Sequence, residues 1–326
     1  MGSIEKEMNI NYSELSSSRS LSVIAPAKIN LHLEVLGFRK DGFHELAMLM
    51  QSINLFDEID FLKTDNGEIT LTSDDPNLST GDDNLILKAA QLIQTCSSDK
   101  NVGAEIHLKK NIPIGAGLAG GSSDAAATLV GLNSLWGIGS SEKQLEKLGS
   151  ELGSDVPFCL RGGTQFCFGR GESLEMIPEI KQSMAVVLVK DPLVEVSTPW
   201  AYSKFKEIYG NDYLKMEEDF EKRRQSLRDA SWLNPLNCTN PPPLQNDLQK
   251  VIEPITPAVR NALEFLSSLE GVLSLAMSGS GPSCFGIFAD LNGAQIALEE
   301  NRNKLKLSGL DAWCCAFKSS GVSLRL

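Results

Sequence analysis

Residues 113–126 read Pro-Ile-Gly-Ala-Gly-Leu-Ala-Gly-Gly-Ser-Ser-Asp-Ala-Ala, four glycines and two serines ahead of an alanine-rich helical pattern. The chemistry this suits is anion binding. Glycine lets the backbone turn through positive φ and approach a ligand, and the first N–H groups of a helix lack internal partners, so they point at whatever anion sits there. Gly115, Gly117 and Gly120 also fit G-x-G-x-x-G, the spacing of a dinucleotide loop, but the stretch lies deep in the chain and Pro113 stands just before it. A Walker A loop is excluded, because Ser122 follows Gly121 with no lysine between them. A glycine-rich surface turn leading into an ordinary core helix is the remaining alternative.

Phosphoryl transfer from a nucleotide in such a loop needs a cation, a metal-contacting hydroxyl and a carboxylate facing the acceptor. Lys28, in Ala25-Pro26-Ala27-Lys28-Ile29-Asn30, is conspicuous in an apolar strand because an unpaired buried charge is costly; a strand-edge lysine guarding against aggregation is the plainer reading. Asp155, in Gly153-Ser154-Asp155-Val156-Pro157-Phe158, could face an acceptor or simply cap the following helix. Asp124 reads as a helix-start residue favoured by the positive helix end, and Ser122 and Ser123 as phosphate or Mg²⁺ ligands or ordinary caps. His44, after Phe43, could hold a nucleobase or sugar, or be a satisfied structural histidine. His107 alternates with Ile106 and Leu108 and reads as an outward strand residue.

The composition narrows the classes. A chain of 326 residues, 42% hydrophobic, has the length of about two domains and enough apolar residues for a substantial core. A net charge of −12 argues against a general binder of nucleic acid or membrane surface. The seven cysteines form no C-x-x-C pair and the three histidines are not grouped, so neither structural zinc nor a disulfide framework is expected. No run of 18 apolar residues predicts a membrane span. Residues 1–20 are polar and Ser-rich with Glu5, Glu7 and Glu14; they read as a disordered arm, not a secretory signal, and at most as the remnant of a transit peptide. Lys6 stands where a myristoylation start wants Ser or Thr. No Ser-His-Asp arrangement, paired-carboxylate motif, H-E-x-x-H, H-R-D or D-F-G stands out.

Elements must then position these residues. Strands are expected over 21–24, 29–36, 54–62, 68–72 and 104–108, with Lys40-Asp41-Gly42 and Asp65-Asn66-Gly67 as hairpin turns. Helices are expected over 85–93, through the face Ala125, Leu129, Leu132, Trp136, and from the capping box Ser141/Gln144 to Leu152 and Gly153. Residues 185–189 read as a buried strand, and residues 204–228, heavily charged, as a solvated helix with its connecting loop. Asn240-Pro241-Pro242-Pro243 breaks the chain before helical patterns at 244–252 and 258–269. Strands at 273–277 and 284–288 bracket a second glycine turn, Ser278-Gly279-Ser280-Gly281. The order predicts a two-domain α+β protein, divided into 21–183 and 184–326.

Taken together, Ala25-Pro26-Ala27-Lys28-Ile29-Asn30-Leu31, the loop 113–126 and Met277-Ser278-Gly279-Ser280-Gly281-Pro282-Ser283 resemble the three motifs of the GHMP kinase superfamily, which includes galactokinase, homoserine kinase and the mevalonate and phosphomevalonate kinases. Arg39-Lys40-Asp41-Gly42-Phe43-His44-Glu45-Leu46, the double glycine before Ser122-Ser123, and Gly153-Ser154-Asp155-Val156-Pro157-Phe158 are similar to the branch that acts on cytidine-diphosphate-linked methylerythritol. The likeness runs from about residue 21 to the C-terminus and is thin across 204–238.

The resemblance implies ATP-dependent phosphorylation of the substrate's 2-hydroxyl, a step of the non-mevalonate route to isoprenoid precursors. It implies an N-terminal β/α domain with a left-handed βαβ unit, a C-terminal α/β domain, and a site in the cleft between them. Asp155 would take the hydroxyl proton, with Lys28 between it and the γ-phosphate. Pro113, Ile114, Gly115, Ala116, Gly117, Leu118, Ala119, Gly120, Gly121, Ser122 and Ser123 would wrap the phosphates, Ser122 or Ser123 would place Mg²⁺, and Asn84 and Lys110 would lie near the adenine. Gly279, Ser280 and Gly281 would close the pocket from the second domain. Asn30, Phe43 and His44 would meet the substrate, with Tyr202, preferred over Trp200, as the opposite aromatic wall. Phe43 stands where the family often has tyrosine, and Ala116 and Ala119 where relatives have glycine, which a methyl group tolerates only at negative φ. The implied partners are a small cytidine-diphosphate substrate, with no nucleic acid or membrane, in a monomer or homodimer of a bacterial cytoplasm or plastid stroma. Homoserine or mevalonate kinase is the alternative enzyme, and a non-catalytic ligand sensor the alternative class.

Overall fold

The computed structural model describes residues 19–177, 184–230 and 243–325. Residues 1–18 of the expected arm and Asn240-Pro241-Pro242 of the expected break lie outside them, as does the 183/184 division itself. The first part of the chain forms β1 (Ser20–Phe38), β2 (His44–Thr64), β3 (Ile69–Ser73), α1 (Leu85–Gln94), β4 (Gly103–Lys109), α2 (Gly120–Leu135), α3 (Glu142–Leu152), α4 (Val156–Arg161), β5 (Thr164–Gly169) and β6 (Ser173–Met176). The second forms β7 (Ala185–Lys190), α5 (Thr198–Tyr209), α6 (Glu217–Arg228), β8 (Gln245–Asn246), α7 (Gln249–Ile252), α8 (Pro257–Ser267), β9 (Ser274–Met277), β10 (Cys284–Phe288), α9 (Leu291–Glu300), α10 (Arg302–Ser308), β11 (Asp311–Lys318) and β12 (Ser323–Arg325). Helices and mixed strands make this α+β, as expected.

The two strands expected near the N-terminus are one. Pro26 has no N–H to give a ladder and normally ends a central strand; here the β1–β2 register shifts between Pro26 and Lys28, a bulge that absorbs it. The bulge also frees the Lys28 N–H, which donates to Leu118 O at 3.1 Å and ties the strand to the glycine loop. β2 is the hub of the sheet. One edge pairs antiparallel with β1, and the other meets β5, β11 and β4 in turn.

The turn Asp65-Asn66-Gly67 does not make the expected hairpin. β3 pairs parallel with β4, which lies between it and β2, so α1 is the crossover of a βαβ unit. β8 and β12 both return to pair with β1, and β11 bridges β2 to β7.

α2 packs under this sheet. Ala125, Leu129 and Leu132 are fully buried, Trp136 nearly so, and Phe61 and Ile59 meet them from β2 in the same core. Each such apolar side chain taken from water contributes roughly 1.5–3 kcal/mol. The capping box is present: Gln144 Oε1 accepts from the Ser141 N–H at 2.7 Å and fixes the start of α3.

The expected solvated helix over 204–228 is two helices, and the second is docked, not free. Arg223, Arg224 and Arg228 of α6 reach Glu34, Glu45 and Glu175, all across the sheet.

Candidate active site

Ala119 precedes the first residue of α2 with φ 57° and ψ 31°, the left-handed region, so the expectation of negative φ fails there. Among the described residues it is the one non-glycine at positive φ, whereas Ala116 is not among them. Such a backbone costs a residue with a Cβ about 1–2 kcal/mol. Ala119→Gly is therefore expected to raise unfolding stability by up to about 1 kcal/mol, read as a higher Tm; a lower Tm would show that the αL strain is absent. The same geometry leaves α2 without a side-chain cap, so its opening N–H groups, from Gly120 to Ser122, lack intrahelical partners beside the cleft those residues line. Among the described residues Ser122 Oγ has no hydrogen-bond partner, while Ser123 is wholly buried and its Oγ donates to Pro26 O at 2.7 Å. Ser123 is thereby withdrawn from the cleft and from the metal role expected of it.

Lys28 is buried at 4% exposure, but it is not unpaired. Its Nζ donates to Asn30 Oδ1 at 2.7 Å and to Gly117 O at 3.3 Å, and lies 3.6 Å from Asp155 Oδ2. A strand-edge guard would face solvent, and this one faces the loop. Asp155 occupies the N-cap position of α4 but makes no cap bond, so its carboxylate is left for Lys28 and the cleft. Asn30 is 1% exposed and acts first as the partner that orients Lys28.

The two glycine turns lock back to back. Ser278 Oγ donates to Gly117 O at 3.1 Å, and Gly281 N donates to Ser278 O at 2.8 Å. Gly279 and Ser280 line the cleft; Gly281 shapes the turn instead, and Thr198 at the start of α5 bonds Ser280 between hydroxyls at 2.8 Å.

Asn84 and Lys110 lie in the cleft, but their polar atoms are spent internally. Asn84 caps α1, accepting from Ile86 N at 2.8 Å and donating to Ser79 O at 2.6 Å. Lys110 Nζ bridges Asp57 at 2.5 Å and Asp124 at 2.8 Å, all three nearly sealed from solvent. Asp124 is thus a buried ion-pair residue, not a helix-start charge. Burial first, with Asp57 nearby, raises its pKa against the pull of Lys110.

At the far end of the cleft His44 sits in an aromatic cluster. Tyr202 stacks on it at 5.0 Å and 24°, and Phe38 and Tyr213 meet it edge-on at 5.2 and 5.6 Å. Tyr202 therefore backs His44 directly, which corrects its expected place as an opposite wall; Trp200 does not line the cleft. Burial first, and then the nearby Lys206 charge, lowers the His44 pKa to about 4. The unfolded chain then binds more protons between about pH 4 and 6.5, so this group's contribution to stability falls as pH falls through that window. Wild-type stability minus that of His44→Gln is expected to drop from pH 6.5 to 4 and to be flat above; a flat difference throughout would contradict a neutral, half-buried His44. His107 is exposed, as expected.

One cleft of about 940 Å³ unites these features; Leu78, Asn84, Lys110, the glycine loop, Lys28, Asp155, Phe43, His44 and Tyr202 all line it. The descriptions "GHMP kinases N terminal domain" and "GHMP kinases C terminal" match residues 84–163 and 216–307. A 4-diphosphocytidyl-2-C-methyl-D-erythritol kinase of Prochlorococcus marinus (strain MIT 9303) is 58% identical over 97% of this chain and 99% of its own. The chain belongs to the 4-diphosphocytidyl-2-C-methyl-D-erythritol kinases, a family of GHMP kinases. A crystal structure of a 4-(cytidine 5'-diphospho)-2C-methyl-D-erythritol kinase superposes with TM-score 0.68 at 30% identity, covering 91% of this chain and 99% of the other. Homoserine kinase from Cytophaga hutchinsonii gives 0.70 at 20% identity, over 95% and 98% of the two chains, which shows the shared fold.

The kinase cleft also holds residues that sequence reasoning passed over. Arg170, between Gly169 and Gly171 in the β5–β6 turn, stacks its guanidinium over Phe43 at 4.9 Å, and Lys206 lies over Phe38 at 3.6 Å. The flanking glycines were the available signal for Arg170; Lys206 was lost among the charges of its helix. Among the described residues no helix is long and apolar enough to cross a membrane, and no group of three or more His, Cys, Asp and Glu could hold a metal.

Proposed function

We propose that the protein transfers the γ-phosphoryl group of ATP to the 2-hydroxyl of 4-diphosphocytidyl-2-C-methyl-D-erythritol. The observation that carries this is the placement of Lys28 Nζ 3.6 Å from Asp155 Oδ2 and 3.3 Å from Gly117 O, between the phosphate loop and the His44 cluster of the same cleft. Asp155 accepts the hydroxyl proton as the oxygen attacks. Lys28, held by Asn30, supplies positive charge where the transferring phosphoryl group builds negative charge. The open N–H groups of α2 and the loop backbone take the phosphates, Leu78, Asn84 and Leu85 shape the adenine end, and Gly279 and Ser280 close the pocket. Phe43 offers a face, and His44, backed by Tyr202, a ring edge to the cytosine; among the described residues the buried His44 Nε2 has no partner, as a base-reading atom should be.

Mg²⁺ fits this site as a nucleotide-borne ion. Among the described residues Ser122 Oγ is free beside the opening N–H groups of α2, and no carboxylate cage is there to hold the ion alone. Bound there, it would neutralise phosphate charge. The net charge of −12 speaks against nucleic acid as the partner. We propose a bacterial cytoplasm or plastid stroma as the compartment and a monomer or homodimer as the working form.

The test is ATP consumption by purified protein with the cytidine substrate, homoserine or mevalonate. Turnover of the cytidine substrate alone is expected; turnover of either competitor with none of the cytidine compound would defeat the reading.

A further inference from the structure

We propose that Glu45 is a positioning residue for the cytidine end of the substrate: its carboxylate latches α6 onto the hairpin that presents Phe43 and His44. This deepens the reading above and rests on it. Glu45 is 3% exposed, far more buried than a turn-flanking carboxylate needs to be. Its Oε2 accepts from Arg39 Nη1 at 2.7 Å; its Oε1 accepts from Arg224 Nη2 at 2.5 Å and Gly169 N at 3.2 Å. One buried group thus joins three chain segments beside His44.

On the hairpin side, Arg39 also clasps Asp41 at 3.0 Å and its N–H donates to Phe43 O at 2.8 Å, so the position of Phe43 follows that of Arg39. On the helix side, α6 begins just after Tyr213, whose ring meets His44 edge-on, and Leu214 N donates to Leu36 O at 2.9 Å. Displacing α6 therefore moves one wall of the His44 cluster, and displacing Arg39 moves the turn that carries Phe43. The catalytic pair lies outside the latch, since neither Lys28 nor Asp155 bonds any of its members. Charge-assisted bonds of this kind are strong and geometrically specific.

Glu45→Gln is a fair test because the fold keeps alternatives: Arg224 retains Glu217 at 2.7 Å and Glu221 at 3.2 Å, and Arg39 retains Asp41. The amide sets an NH₂ donor against a guanidinium where an acceptor is needed. KM for the cytidine substrate is expected to rise about tenfold, as for one lost charge-assisted bond, with kcat and KM for ATP unchanged. Arg224→Lys, which keeps the charge but not the fork, should be intermediate, and Glu45→Gln combined with Arg224→Met should be far from additive. Hydrogen exchange of the peptide spanning residues 39–46 should quicken in Glu45→Gln whatever the substrate. Unchanged exchange there, or a lower Tm with the cytidine KM unmoved, would overturn the latch. A wild type inactive on the cytidine compound defeats the functional reading instead, and the exchange experiment then decides the latch alone.

Discussion

Asp155→Asn should lower kcat by about 10²-fold or more while ATP still binds, the loss expected of an absent general base. The substitution is clean for a structural reason. Asp155 stands at the N-cap of α4 yet caps nothing, and its side chain, 29% exposed, faces Lys28. Replacing it with the isosteric amide therefore removes a proton acceptor without removing a helix cap. Tm should hardly move. Lys28 keeps Asn30 at 2.7 Å and Gly117 O at 3.3 Å, so the phosphate end of the cleft stays assembled and the Kd for ATP should remain near its wild-type value. Near-normal turnover would remove Asp155 from the proton-accepting role, and lost ATP affinity would mean that Asp155 builds the loop instead.

Gly117→Ala is expected to be as damaging by a different route. Gly117 has φ +74°, and a Cβ there would lie 2.2 Å from Ser278 O and 3.0 Å from Gly281 N, both backbone atoms with no freedom to rotate away. The phosphate loop and the second glycine turn would have to separate. Since Gly117 O receives both Ser278 Oγ and Lys28 Nζ, separation would also loosen the lysine. A misplacement on the order of 1 Å at reacting groups costs about 10²-fold, so kcat/KM should fall at least that far, with a lower Tm from the strained φ. Wild-type kcat/KM in the alanine variant would show that the two turns are not coupled.

What was legible in the chain was local. Gly115, Gly117 and Gly120 suggested an anion-binding loop, and the capping box announced α3, because each works through its own neighbours, whereas Lys28 meets Gly117 89 positions away and read more plainly as a strand-edge guard. β2 was only half visible: residues 45–53, with Leu46, Met48, Leu49 and Met50, are buried on both faces and show no alternation, so the period-two signal is missing. The Asp65-Asn66-Gly67 turn misled because turn chemistry says where a chain reverses, not which strand it then pairs with. Asp124 misled because its partner Lys110 lies 14 positions before it, and the other carboxylate on Lys110, Asp57, lies 53 positions before that lysine. Glu45 and Arg224, separated by 179 positions, leave no trace in spacing at all, and Ser123 differs from Ser122 only in which side of α2 it faces.

The most direct test is the identity of the product. Purified protein with ATP, Mg²⁺ and 4-diphosphocytidyl-2-C-methyl-D-erythritol, followed by ³¹P NMR, should give ADP and one new phosphomonoester on the 2-hydroxyl, with the substrate's diphosphate resonances kept. ADP without that phosphomonoester, or phosphorylation at another hydroxyl, would contradict the placement of Asp155 and Lys28 at the reacting centre.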